Sequence, residues 1–269
     1  MIEALAGSDQ ALEMVTKILS RTGSVDALAS LAGAIQFNLP AVAFEQTVIA
    51  LDANVILRLS GHARSADIVD YLRTDFAGRL ILPGQVIQEF WNNQFLVVAT
   101  KSAEIRKKFE ELRQLIGAMD GRFETFSASF SALLDEFNDN FGYVFDEKTV
   151  RNTSLVIELL QEKALVPFVP RTSLANVASA RKRTKTPPGF KDDLDGDFYV
   201  WADLLLGLAQ LKEIMPDLQR VILVTLDKKI DWSRDGVPHP ILTAEITAIC
   251  GATFETITID ALAKRLLDD

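Results

Sequence analysis

The sequence has one cysteine, two histidines and no apolar run near the roughly 18 residues that a membrane span needs. Each shortage excludes something. A lone Cys250 cannot close an intramolecular disulfide, which fits a reducing compartment and points to the cytoplasm. His62 and His239 alone argue against a histidine-rich zinc centre. The start, Met1-Ile-Glu3-Ala, lacks the basic opening and cleavage site of a secretory signal. No membrane partner is expected. Basic residues are also in deficit. The net charge is −9, which disfavours non-specific nucleic-acid binding by the whole surface but allows a local basic strip beside an acidic site. Hydrophobic content of 48% and charged content of 24% describe a globular chain, and 269 residues suffice for one large or two small domains with a full core.

What is present is organised around Val48-Ile-Ala-Leu-Asp52-Ala-Asn54-Val-Ile-Leu57. Its front half reads as a short buried strand that ends abruptly in Asp52. In open α/β sheets, ligands gather at the carboxyl ends of the strands.

Residues 1–45 read as a helical extension. Leu12, Val15, Ile18 and Leu19 form one apolar face, and Ala27, Leu28, Leu31 and Ile35 another. The extension is expected to pack on the sheet or on a partner subunit. After Leu57 comes a polar turn at Ser60 to Arg64. A helix follows with Ile68, Val69, Leu72 and Phe76 inward, then a short strand at Arg79 to Pro83. Gly84 to Asn92 opens a helix that carries Glu89, with Val86, Phe90, Leu96 and Val97 inward.

A helical insertion at about 100–185 interrupts this α/β alternation. Ile105, Phe109, Leu112 and Ile116 repeat at helical spacing, as do Phe123, Phe126, Phe130, Leu133 and Phe137, with a break at Gly117 to Gly121. The phenylalanine stripe is expected to be core rather than a stacking platform for bases. Another helix is expected at about 147–164, with Leu155, Ile157, Leu159 and Leu160 inward, ended by Pro167 and Pro170.

Arg171, Arg181, Lys182, Arg183, Lys185 and Lys191 then crowd a segment broken by Pro187-Pro-Gly189. This strip reads as a loop, either solvated or in contact with phosphates. It runs into Asp192-Asp193-Leu-Asp195-Gly-Asp197. There a helix begins, with Phe198, Trp201, Leu204, Leu205, Leu208 and Leu211 on one face. Val221 to Leu226 is a buried strand that ends in Asp227-Lys-Lys-Ile-Asp231-Trp232, repeating the placement of Asp52. A helix at 242–249, a strand at 253–257 and a helix at 260–267 close the chain.

Four acids stand out by position: Asp52 and Asp227 at strand ends, Glu89 in the helix after a strand, and Asp197 at a helix start. Each alone has an ordinary reading as a turn former, a helix cap or a solvated residue. Together, on a parallel sheet, they can face one end. Carboxylates packed that closely have raised pKa values unless a cation neutralises them. An all-oxygen site selects a hard cation, Mg²⁺ or Mn²⁺, as one ion or as a pair about 3.5–4 Å apart that could serve phosphodiester cleavage.

This order resembles the acidic set of the PIN-domain nucleases. A subgroup is more similar still, through Pro187-Pro-Gly-Phe-Lys-Asp192, Gly196-Asp197-Phe-Tyr-Val-Trp201, Thr225-Leu-Asp-Lys-Lys-Ile-Asp-Trp232 and the tail Pro238-His-Pro-Ile-Leu-Thr-Ala-Glu245. The resemblance spans about 45–267 and matches the insertion only in character. It implies an α/β, Rossmann-like PIN fold with a parallel sheet over 46–269. It further implies a Mg²⁺ or Mn²⁺ site and hydrolysis of nucleic acid, RNA being the expected substrate. Carried over, Asp52, Glu89, Asp197 and Asp227 are the metal-binding acids, and Asp192 and Asp231 additional or outer ligands. Asn54 orients Asp52, and Thr225 supports the site from behind. Leu226 and Ile230 stand where the subgroup often has acids, so any ligand role there is lost. Lys191, Lys228 and the strip Arg181, Lys182, Arg183 and Lys185 are expected to hold the substrate backbone.

Two other readings compete. One is a haloacid-dehalogenase-type phosphatase, which wants Asp where this chain has Asn54. The other is a non-catalytic PIN-like module that binds nucleic acid or protein. The added helices suit a homodimer or another protein partner.

Overall fold

The computed structural model describes residues 8–36, 42–94, 102–118, 121–141 and 147–268. A five-stranded sheet, all parallel, runs in the order β3-β2-β1-β4-β7: β1 (Thr47–Leu51), β2 (Arg79–Ile81), β3 (Ala164–Leu165), β4 (Arg220–Val224) and β7 (Thr253–Ile257). β5 (Ser233–Arg234) and β6 (Val237–Pro238) form a separate antiparallel hairpin. The expected Rossmann-like α/β architecture is present.

β1 and β4 are the central pair, and every residue of both is buried. Their branched aliphatic runs suit a sheet covered on both faces. The register pairs Leu51 with Val224, so both strands end at the same level. From β1 the chain winds outward through β2 and β3 in one direction, and through β4 and β7 in the other. The strand order therefore reverses between β1 and β4, and in open parallel sheets the crevice at such a reversal is where ligands bind.

Among the described residues there are twelve α-helices. α3 (Ala53–Gly61), α4 (Ser65–Thr74), α8 (Glu147–Lys163) and α12 (Ile259–Leu267) pack on one another. α1 (Ser8–Leu19), α10 (Gly196–Leu211) and α11 (Pro240–Cys250) form a second group; α2 (Ala27–Gln36) lies against α11, and α5 (Gly84–Glu89) against α10. α10 is buried almost all round, with Trp201 fully enclosed, so it acts as a core element rather than an amphipathic cover. α11 starts at Pro240 behind a His239 cap whose Nδ1 accepts the Ile241 N–H, and it ends at Gly251 in the left-handed region (φ 78°). Among the described residues no helix is long and apolar enough to cross a membrane.

Several expectations need correction. The basic segment is not a loop throughout. Arg171–Arg183 forms α9, and the strand β3 separates it from α8. Inside α8 the buried positions are Val156, Leu159 and Leu160, while Ile157 is exposed. α1 buries Val15, Ile18 and Leu19, as its periodicity predicts, but α2 buries none of its residues and leaves Leu28, Leu31 and Ile35 exposed. The insertion helices α6 (Ser102–Gly117) and α7 (Glu124–Phe141) form where expected, yet Phe123, Phe126 and Leu133 are exposed, so the phenylalanine stripe is not core over those residues. Leu96 and Val97, expected to face inward, and the side chains of Ile105 and Phe137 lie outside the described residues.

Candidate active site

Asp52 is the first residue past β1. Its N–H donates to the Val224 carbonyl at 3.1 Å, continuing the β1–β4 ladder by one step. The chain then turns directly into α3, and the Asp52 carboxylate accepts the Ala53 N–H at 2.6 Å. Two side chains hold its other oxygen. Asn54 Nδ2 donates at 2.9 Å, and Thr225 Oγ1, at the end of β4, donates at 2.6 Å. Asn54 Oδ1 in turn accepts the Leu226 N–H at 3.1 Å, and Thr225 Oγ1 accepts the Asp227 N–H at 3.0 Å. The two strand ends are thereby tied together by side chains that carry no charge.

Glu89 approaches from the last turn of α5, where Gln85 Nε2 donates to its Oε1 at 3.2 Å. It meets the N-terminus of α10 at Gly196. A Cβ at position 196 would lie 2.6 Å from Glu89 Oε1, which explains glycine before Asp197. Gly189 (φ 86°) plays a similar part in the preceding loop, since a Cβ there would sit 3.2 Å from the Asp197 Cβ. Behind it, Asp231 is fully buried and its Oδ2 accepts the Gly189 N–H at 3.0 Å, while Oδ1 has no partner. Asp231, expected as a further or outer ligand, thus has, in the structure as it stands, one oxygen bonded to the backbone and one without a partner. It holds the Pro187-Pro-Gly189 turn from the interior.

The remaining acids converge on a residue that the sequence reading passed over. Lys229 Nζ lies 2.7 Å from Asp192 Oδ2, 2.9 Å from Asp197 Oδ2 and 3.0 Å from Asp227 Oδ2. Its backbone N–H also donates to Asp227 Oδ1 at 2.7 Å, forming a tight Asx turn. Trp232 Nε1 donates to the same Asp197 oxygen at 3.0 Å.

The electrostatics follow from crowding. Burial pushes the Asp52 carboxyl up, with the Asp227 charge adding to it and the bonds from Thr225, Ala53 and Asn54 opposing. Burial also raises Glu89, assisted by the charges of Asp52 and Asp192. Asp197 is pushed up to about 7 by burial and by its hydrogen bond with Asp192. Asp192 is held low: burial works against that, but its bonds with Asp197 and Lys229 prevail. The Lys229 ammonium is raised, because the three aspartates outweigh the cost of its burial. The charges of Asp52, Glu89, Asp192, Asp197 and Asp227 thus act on one another.

The donors are all carboxylate oxygens, which suits a hard cation such as Mg²⁺ or Mn²⁺. Three of them already converge on one ammonium, that of Lys229. Among the described residues, however, no three Asp, Glu, His or Cys side chains are arranged to hold a metal ion as they stand.

The basic residues divide. Arg183, Lys185, Lys191 and Lys228 are exposed. Lys182 is half-buried and donates to the Asp193 carbonyl at 2.5 Å, with Asp195 at 3.8 Å. Arg181 is buried, and the expectation that it contacts substrate is corrected. Its guanidinium pairs with the fully buried Glu245 at 2.7 Å and donates to the Pro187 carbonyl. Glu245 also accepts from Arg21 (2.7 Å) and Trp201 Nε1 (2.6 Å), so this network anchors the N-terminal extension instead.

A family model described as a PIN-like domain matches residues 48–135 and 156–240, well over half of the chain. No curated protein and no solved structure matches.

Proposed function

The chain belongs to the PIN-like domain family, and from that premise we propose that it is a metal-dependent nuclease that hydrolyses phosphodiester bonds, with RNA or DNA as substrate. The observation that carries this reading is the meeting of acids from four separate segments at the β1–β4 reversal. Asp52 follows β1, Glu89 ends α5, Asp197 begins α10 and Asp227 follows β4, and burial or mutual charge raises three of them. A protein gains no stability from packing acids so closely; function is the usual reason for such clusters.

Asp52, Glu89, Asp197 and Asp227 would hold Mg²⁺ or Mn²⁺, with Asp192 beside them. A bound ion would neutralise these carboxylates and supply the Lewis acidity for attack of water on phosphorus. The protein's own contribution is positioning. Thr225 and Asn54 fix the Asp52 carboxylate, and Gly196 and Gln85 fix Glu89. The exposed Arg183, Lys185, Lys191 and Lys228 would bind the anionic backbone near the acids, which the net negative surface elsewhere does not. A groove beside Asp227, lined also by Thr225, Lys228, Ile230, Arg234 and Asp235, offers room for part of such a track. The expected cytoplasmic location suits this activity.

A second reading is a non-catalytic platform. It is favoured by the Lys229 clasp on three aspartates and by the exposed Leu28, Leu31 and Ile35 of α2, a surface suited to a second copy or another protein. The phosphatase alternative gains nothing from the family match. The deciding experiment is cleavage of labelled RNA and DNA oligonucleotides with Mn²⁺ by the wild type and Asp52→Asn. Cleavage lost in the variant supports the nuclease. Equal cleavage by both, or none by the wild type, moves the assignment to the platform.

A further inference from the structure

We propose that Lys229 takes the place of a second divalent ion, so that the acidic site holds one Mg²⁺ or Mn²⁺ rather than a pair; this rests on the metal-dependent reading above. An ammonium has three protons to give. Here each has its own carboxylate, on Asp192, Asp197 and Asp227, at 2.7–3.0 Å. Two of the acceptors, Asp192 and Asp197, come from the loop and helix start far in sequence from Lys229, and the third, Asp227, from its own turn.

The position of Lys229 is not left to a free side chain. Its backbone is locked to Asp227 by the Asx turn at 2.7 Å, so residue 227 binds residue 229 through both carboxylate oxygens. Trp232, three residues on, fixes Asp197 from the other side at 3.0 Å. Two donors therefore share Asp197 Oδ2. This is a built cation seat, and a lysine fills it.

The acids divide accordingly. Among the described residues, neither Asp52 nor Glu89 lies within the 4 Å ion-pair reach of Lys229. Asp227 adjoins both groups, because its charge is felt at Asp52 while it binds Lys229. A paired-ion site needs its second ion about 3.5–4 Å from the first. A permanent ammonium among Asp192, Asp197 and Asp227 would repel a dication seated beside it. One ion then falls to Asp52 and Glu89, with Asp197 and Asp227 shared between that ion and Lys229, which supplies the remaining positive charge.

The test is Mn²⁺ stoichiometry on the full chain, freed of metal by chelation, by equilibrium dialysis and electron paramagnetic resonance with inorganic phosphate present. The wild type is expected to bind one ion with the signal of isolated Mn²⁺. Lys229→Met, near in shape but uncharged, should bind two with the broadened signal of coupled ions. Lys229→Gln keeps a donor for the aspartates and should also bind two, which covers a Met variant that fails to fold. Two ions in the wild type, or one in every protein, would overturn the inference and leave the metal-dependent reading standing. No ion in any of them would overturn both.

Discussion

Thr225 and Asp52 lie 173 residues apart in the chain and 2.6 Å apart in space, hydroxyl to carboxylate, across the ends of β4 and β1. The bond sits where the strand order reverses. It holds a half-buried carboxylate in one orientation without neutralising it. Thr225→Val keeps the shape and removes the donor. Loss of such a supporting bond typically costs about 10–100-fold in metal affinity. Mn²⁺ titration of this variant should show a loss of that order with an unchanged circular dichroism spectrum. An unchanged affinity would mean that Thr225 serves only the strand ends.

Gly196→Ala should act on function more than on stability. The new Cβ would come within 2.6 Å of Glu89 Oε1, the far end of a flexible side chain. Glu89 can swing away, so the fold should survive and Glu89 should leave the cluster. Cleavage should fall by about tenfold or more, a loss of roughly 1.4 kcal/mol in transition-state stabilisation. The melting temperature should change little. A large loss of stability with full specific activity in the folded fraction would contradict this assignment of Glu89.

Arg181 separates a structural arginine from a nucleic-acid contact. Arg181→Ala leaves Glu245 buried with one cation fewer, and breaking a buried pair from one side costs about 3–5 kcal/mol. Urea unfolding should show that loss. Arg183→Glu with Lys185→Glu, both exposed, should leave stability nearly unchanged and weaken oligonucleotide binding in a salt-dependent manner.

The pH dependence of the metal-free protein has a definite sign. Asp197 titrates at about 7 in the folded protein, against an ordinary 3.8, because of its burial and its bond with Asp192. Between those values the folded state keeps a proton that the unfolded chain has lost, so stability falls as pH rises. The raised carboxyls of Asp52 and Glu89 add to the same slope. Asp192, held low, contributes the opposite slope only below 3.8. Melting temperatures in chelator should therefore drop from about pH 5 to about pH 8, and Mn²⁺ should restore more stability at the higher pH. Asp197→Asn should flatten the metal-free slope.

Much of the fold was legible from residue patterns. β1 and β4 are short branched aliphatic runs that end in Asp52 and Thr225-Leu-Asp227, and both appear where the pattern put them. β3 was not legible, since a two-residue strand shows no alternation. α9 was missed because its lysines and arginines resemble a solvated strip. Its buried stripe is Leu174, Ala178 and Arg181, and reading that period required taking an arginine as a core residue. The phenylalanine stripe of α7 shows a different limit: helical spacing identifies a face but not what covers it. Among the site residues, Asp192, Asp197 and Asp227 meet at Lys229, and Asp52 is tied to Asp227 through Thr225. Lys229 was missed because two lysines follow Asp227, and only the Asx turn decides which of them points inward.

The most direct test of the central claim is calorimetric titration of Mn²⁺ into the wild type and Asp52→Asn, with a short oligonucleotide present so that phosphate can complete the site. Binding is expected in the wild type, with its loss in a variant that still folds. Equal binding in both proteins, or none in the wild type, would contradict it.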